Sequence, residues 1–221
     1  RLAGGIHAFH PLRPTADPGP LAMAAKGHVT FGCLNALAKM EDEVLALWAR
    51  CLEAVPDSRL RLVKQSFRHG QNRADFSRRA ALLGIDPSRL ELMPAETGAF
   101  DDLSVYHGID IALDTFAYNG ITTTCEALWM GVPVITLRGD RFVAREAAGI
   151  LTRTGHSAWI AATPVAYVEI ACSLASDREG LSNIRRGLRK EFIASPVHDA
   201  ARLAREMEAF FDAALTEVAG A

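Results

Sequence analysis

A chain of 221 residues, 49% of them hydrophobic, can supply one large core or two small ones. Its 24 Lys and Arg stand against 26 Asp and Glu, so no overall field recommends it to nucleic acid or to a membrane surface, and any anion must be met by a local site. The four cysteines, Cys33, Cys51, Cys125 and Cys172, lie far apart with no C-x-x-C pair, which fits neither a zinc site nor a disulfide framework and suits reduced thiols in a cytoplasm. No apolar run approaches the roughly 20 residues that span a bilayer, and no signal-peptide pattern opens the chain. A start at Arg1 without methionine leads us to expect a piece of a longer protein.

The stretch from Pro11 to Pro20, PLRPTADPGP, carries four prolines and reads as a linker. Six strand-like runs follow, alternating with helical stretches. The runs are 28–34, 59–65, 90–94, 109–115, 132–137 and a poor sixth at 158–160. Between them the spacing predicts helices over 42–55, 72–83 (stopped by Gly84), 99–107, 122–130 and 141–153. Beyond residue 163 only helices are expected, over 163–175, 178–193 and from about 200 to 216. The last carries an apolar stripe of Leu203, Met207, Phe210, Phe211 and Leu215 that needs a partner surface. Strands too apolar to have a wet face, alternating with helices, predict an α/β fold: a Rossmann-like parallel sheet of about six strands, helices on both faces, and a helical C-terminus. No repeat of 20 to 50 residues is visible.

On open sheets of this kind ligands bind beyond the carboxyl ends of the strands. There stands NGITTTCEALWMGVPVITL, from Asn119 to Leu137. A threonine among Thr122, Thr123 and Thr124 could simply cap the following helix, worth about 1 kcal/mol. Three hydroxyls in a row exceed what one cap requires, however, and a helix N-terminus offers unpaired N–H groups and partial positive charge to a diphosphate. Glu126, one turn further on, can be an acid favoured by the helix dipole, a ligand for ribose hydroxyls, or both.

Taken with VTFGCLNALAK, WARCLEAVPDSRLRL and ASPVHDA, the run LDTFAYNGITTTCEALWMGVPVITL resembles the C-terminal catalytic lobe of the O-GlcNAc transferase family, the SPINDLY-like protein glycosyltransferases, from about His28 to Phe211. The resemblance implies a GT-B fold of two Rossmann-like lobes preceded by a tetratricopeptide array. Residues 1–27 would be the inter-lobe linker, 28–195 the nucleotide-sugar-binding lobe, and 196–221 a C-terminal helix packing back toward the N-terminal lobe. Lys39 would contact the donor diphosphate as the catalytic cation, with Asn35 nearby. Asn119 and Gly120 would form the turn, Thr122, Thr123 and Thr124 the phosphate-binding helix start, and Glu126 the ribose ligand.

The implied reaction is inverting transfer of a sugar, N-acetylglucosamine from UDP-GlcNAc, to Ser or Thr of an acceptor protein in a bacterial cytoplasm, without metal or other cofactor. No general base is identifiable, so the isolated lobe should bind donor and turn over little. Three positions depart from the family pattern: Ile121 replaces a histidine before the threonines, Asp102 falls where a histidine packs on the uracil, and Ala36 replaces a glutamine. Those departures keep other readings open: a different nucleotide sugar, as in a flagellin glycosyltransferase, a non-catalytic nucleotide-sugar-binding module, or a GT-B-type epimerase.

Overall fold

In a computed structural model describing residues 5–219, the six apolar runs form six parallel strands in one sheet. They are β1 (Thr30–Cys33), β2 (Arg59–Val63), β3 (Leu90–Met93), β4 (Ile111–Leu113), β5 (Val134–Leu137) and β6 (Ile160–Ala161). Their spatial order is β3-β2-β1-β4-β5-β6, so the winding reverses between β1 and β4. Phe31 pairs with Leu60 on one side and with Ile111 on the other. Connections leaving β1 and β4 diverge, and a crevice opens at their carboxyl ends.

Alternation along the strands builds two cores. Phe31, Cys33, Leu60, Leu62, Ile111 and Leu113 face one side, where they pack on α2 (Asp42–Ala54), α3 (Gly70–Leu82) and α6 (Pro164–Ser176) through Trp48, Phe76 and Tyr167. Val63 and Val134 face the other, against α4 (Thr122–Trp129), α5 (Glu146–Arg153) and α7 (Arg178–Ile193) through Leu128, Ile150 and Phe192. A five-residue helix, α1 (Ala22–Lys26), precedes β1, and a long one, α8 (Ala200–Ala219), ends the described chain. Met207, Phe210, Phe211 and Leu215 of α8 are exposed. No helix of the described residues is long and apolar enough to cross a membrane.

One expected helix is absent. Residues 99–107 form turns and a short 3-10 helix, Ser104–Gly108, instead of an α-helix. The Asp102 carboxylate accepts the Ser104 N–H at 2.9 Å, and Leu103 takes a left-handed conformation (φ 61°), a local alternative that stops α-helix from propagating through Asp102–Ser104. The proline-rich stretch is stitched to the lobe along its length. Phe9 N–H donates to Val197 O (2.8 Å), Ala16 N–H to Asp102 O (2.8 Å), and Trp129 Nε1 to Thr15 Oγ1 (2.9 Å). Residues 1–4 of the expected linker and 220–221 of the expected C-terminal segment lie outside the described residues.

The abrupt return from α4 to β5 is a Schellman turn. Val132 N–H reaches Ala127 O at 2.8 Å and Gly131 N–H reaches Leu128 O at 3.1 Å, with Gly131 left-handed at φ +71°. A Cβ on Gly131 would also overlap the Arg185 carbonyl oxygen of α7. We expect Gly131→Ala to destabilise the protein by about 2 kcal/mol or more, the left-handed conformation alone costing roughly 1–2 kcal/mol. Urea unfolding of the two proteins measures it.

Candidate nucleotide-sugar site

The crevice between β1 and β4 gathers the residues singled out from sequence. The chain leaving β1 passes through Asn35, buried at 5% exposure, into a 3-10 turn, Leu37–Lys39. The chain leaving β4 passes through Asp114 and Thr115, turns at Asn119 and Gly120, and enters α4. Asn35 joins the two connections: its Nδ2 donates to Asp114 Oδ1 (3.0 Å) and to Thr115 Oγ1 (2.7 Å), while its Oδ1 accepts a short hydrogen bond from the Thr123 hydroxyl. Gly120 is required here for proximity, because a Cβ would overlap oxygens of both Thr123 and Asn35.

Lys39 reaches across the crevice. Its Nζ donates to Asn119 O at 2.8 Å and lies 3.6 Å from the centre of the exposed Tyr118 ring. Burial draws its pKa below the ordinary lysine value, while the Asp114 charge opposes that shift. Lys64, at the end of β2, is a second half-buried ammonium near this edge, donating to Leu34 O at 2.6 Å; burial lowers its pKa as well.

None of the three threonines caps α4. The N-cap position is Ile121, with no side-chain hydrogen bond, and Thr122, Thr123 and Thr124 are the first three helical residues. Their hydroxyls diverge in use. Thr124 is buried and donates to Gly120 O (2.7 Å), and Thr123 is committed to Asn35. Thr122 is exposed and lines a cavity of about 420 Å³. The first N–H groups of the helix have no intrahelical acceptors and carry the positive end of its dipole.

Glu126 lines the same cavity. Its Oε2 accepts the hydroxyl of the buried Tyr106 at 3.0 Å; burial raises its pKa and the tyrosine hydrogen bond opposes the rise. Phe9, His10 and Arg13 from the N-terminal stretch form the opposite wall, with Phe100 and Leu103. Asp102 is exposed on the outer loop, and His107 lies beyond it, its Nε2 2.6 Å from Asp17 O.

Two residues central to this geometry have no role assigned from sequence, although Asp114 lies within the run LDTFAYNG. Asp114 is a buried acid whose carboxylate accepts Gly120 N–H (2.8 Å) and the Thr136 hydroxyl (2.8 Å) besides Asn35; burial pushes its pKa up to about 6 despite these donors. The signal that could have found it is a lone acid ending an apolar strand beside the point where the winding reverses. Tyr106 offers no comparable signal, being one aromatic in a segment expected to be a helix and found as a 3-10 turn. Among the described residues no group of three or more His, Cys, Asp and Glu could hold a metal ion, and all four cysteines are free.

Comparison with known proteins identifies the family. A family model, Glycosyl transferase family 41, matches residues 23–207. The chain is 39% identical over 208 residues to a tomato (Solanum lycopersicum) protein named "Probable UDP-N-acetylglucosamine--peptide N-acetylglucosaminyltransferase SPINDLY", covering 93% of this chain and 22% of that protein. To the Arabidopsis thaliana protein of the same description ending in SEC it is 31% identical, covering 80% and 18%. Among solved structures, a mutant O-GlcNAc transferase of Thermobaculum terrenum superposes with a TM-score of 0.77 at 35% identity, over 90% of this chain and 38% of that one. Anabaena Alr3699/HepE, solved with UDP and glucose, shares the fold alone, at a TM-score of 0.58 and 13% identity over 86% of this chain and 51% of that one. The chain thus spans about a fifth of the length of the curated relatives it matches. With most of its length matched by the family model, and a parallel sheet like that of the C-terminal lobe of a GT-B enzyme, this chain belongs to glycosyl transferase family 41.

Proposed function

We propose that this chain is the donor-binding lobe of a metal-independent, inverting protein O-glycosyltransferase. The observation that supports it best is what flanks the start of α4: the Lys39 ammonium on the Asn119 carbonyl of the turn before it, Thr122 open in its first turn, and Glu126 one turn on beside a cavity. An acceptor Ser or Thr hydroxyl attacks the anomeric carbon from the face opposite the diphosphate. The carbon–oxygen bond to the diphosphate breaks, its electron pair leaves with the nucleoside diphosphate, and the acceptor proton passes to a base outside this lobe. Negative charge grows on the leaving group as that bond breaks, so a fixed ammonium and helix N–H groups stabilise the transition state more than the ground state.

In this reading Lys39 and the α4 N-terminus hold the diphosphate, with the Thr122 hydroxyl and the Thr123 backbone N–H at its oxygens while the Thr123 hydroxyl stays on Asn35. Asn35, Asn119, Gly120 and Thr124 shape the turn beneath it, and Glu126 takes the ribose hydroxyls. The names of the SPINDLY and SEC relatives support N-acetylglucosamine from UDP-GlcNAc as the transferred group. A different nucleotide sugar is the second reading, favoured by Ile121, Asp102 and Ala36, which change the ring-bearing and amide-bearing positions of the family pattern. Residues 1–27 would cross between lobes, and the exposed apolar face of α8 would pack on an N-terminal catalytic lobe. The parent protein would carry a tetratricopeptide array and act on acceptor proteins in a bacterial cytoplasm.

Calorimetric titration of the chain with UDP, GDP and CMP tests the site, and incubation of the full-length parent with sugar nucleotides and acceptor protein, read by intact mass, tests the transfer. We expect Lys39→Ala to lower turnover of the parent about 100-fold or more, the scale of removing one preorganised electrostatic group, with little change in melting temperature. Equal turnover would remove Lys39 from the mechanism. Gly120→Ala should weaken binding of the preferred nucleoside diphosphate about tenfold or more, equivalent to about 1.4 kcal/mol, because its Cβ displaces Thr123 and Asn35.

A further inference from the structure

We propose that Asp114 is a positioning residue for Lys39, acting through the single peptide unit that joins Asn119 to Gly120. The N–H of that unit, on Gly120, donates to Asp114 Oδ1 at 2.8 Å, and its C=O, on Asn119, accepts from Lys39 Nζ at 2.8 Å. The peptide is planar and trans, so its N–H and C=O point in opposite directions, and the carboxylate and the ammonium occupy the two ends of one dipole. An amide that donates to a carboxylate is polarised, and its carbonyl becomes a stronger acceptor. Asp114 therefore fixes the plane of the peptide, strengthens the oxygen that receives Lys39, and supplies the negative charge that opposes the loss of the lysine proton on burial.

The carboxylate is itself held from several sides. The Asn35 amide and the Thr136 hydroxyl of β5 donate to it, and the Thr115 N–H adds a backbone hydrogen bond. Asn119 is tied to the same group, since its Nδ2 donates to Thr115 O (2.9 Å) and to Thr136 Oγ1 (3.3 Å). Among the described residues, Cys33 and Tyr167 are further titratable groups coupled to the pair. Cys33 on β1 is pushed up to about 12, and the Tyr167 hydroxyl of α6, which donates to Asp114 O at 3.2 Å, is raised well above the usual phenol range, so both stay neutral near pH 7. Lys64, just past β2, acts on Cys33 and donates to Leu34 O. Asp114 is thus the acid that opposes the loss of the Lys39 proton.

The signs for stability and for function differ. Asp114 has a folded pKa near 6 against an ordinary value of 3.8, so the folded protein takes up a proton between these values that the unfolded chain does not. This group's contribution to stability therefore rises as pH falls from 6 toward 4. Lys39 loses its counter-charge over the same range.

The inference rests on Lys39 facing the diphosphate, and one experiment separates the two. The ε-carbon of Lys39 is titrated by NMR in the wild type, Asp114→Asn and Thr136→Val, with UDP and GDP affinities measured by calorimetry across the same pH range. We expect an inflection in the wild-type Lys39 signal as Asp114 titrates near pH 6, and a midpoint for Lys39 deprotonation that moves to lower pH in Asp114→Asn, the loss of affinity at high pH moving with it. Thr136→Val withdraws a donor from the carboxylate without removing it, so the inflection should move to higher pH; this variant decides the matter if Asp114→Asn does not fold. An unmoved lysine midpoint in folded Asp114→Asn, or no inflection in the wild type and Thr136→Val, overturns the inference. Lys39→Ala binding both nucleotides as tightly as the wild type would overturn the functional assignment of the lysine while leaving its coupling to Asp114 readable.

Discussion

A carboxylate buried at the end of β4 must be supplied with hydrogen-bond donors, and that need shapes the site. An ionised acid taken out of water costs several kcal/mol unless its lone pairs are filled. Asp114 fills them with Asn35 from the β1 connection, Gly120 from the turn before α4, Thr136 from β5 and its neighbour Thr115. The donors come from the chain leaving β1, the chain leaving β4 and β5, so satisfying one anion brings the ends of three adjacent strands into register. The geometry around Lys39 and Thr123 follows from those attachments.

Strand order supplies the space in which this happens. Where the winding reverses, no helix connection covers the carboxyl ends of β1 and β4, and the polar groups there can face a ligand. Small residues keep the space narrow. Gly120 lets the turn approach Asn35 and Thr123 within hydrogen-bonding reach, and the left-handed Gly131 sends the chain straight from α4 into β5.

Much of the fold was legible because the physics that sets it is local. An apolar run such as VPVITL has no wet face and reads as an inner strand, the alternating RLRLV buries Leu60 and Leu62, and observed boundaries differ from the expected ones by one or two residues in most elements. The segment 99–107 was not legible, because Leu103, Val105 and Tyr106 suggest helical spacing while the Asp102 carboxylate diverts the backbone at Ser104. At the site, residues with exposed or repetitive chemistry stand out in sequence, as the three threonines do. Their division of labour does not: that Thr124 supports the turn, Thr123 binds Asn35 and Thr122 remains open depends on helical phase relative to the sheet. Asp114 was hidden for the opposite reason, since its importance lies in donors up to about 80 residues away in sequence, a tertiary property.

The cavity beside Glu126 depends on chain outside the sheet. Phe9, His10 and Arg13 form one of its walls, and that stretch is held by contacts with the segment entering α8. Phe9 N–H donates to Val197 O, the His198 Nδ1 lies 3.0 Å from Phe9 O, and the rings of His10 and His198 stack with centroids 5.0 Å apart. Trp129, in the last turn of α4, packs against both histidines and Phe192. The same short helix therefore carries Thr122 at one end and the anchor for the cavity wall at the other. A shift of residues 9–15 or 195–199 must either break this aromatic cluster or carry α4 with it, because packed side chains do not deform continuously. The shape of the cavity and the aim of the α4 N–H groups are consequently set together, by a cluster on the face away from α2 and α6.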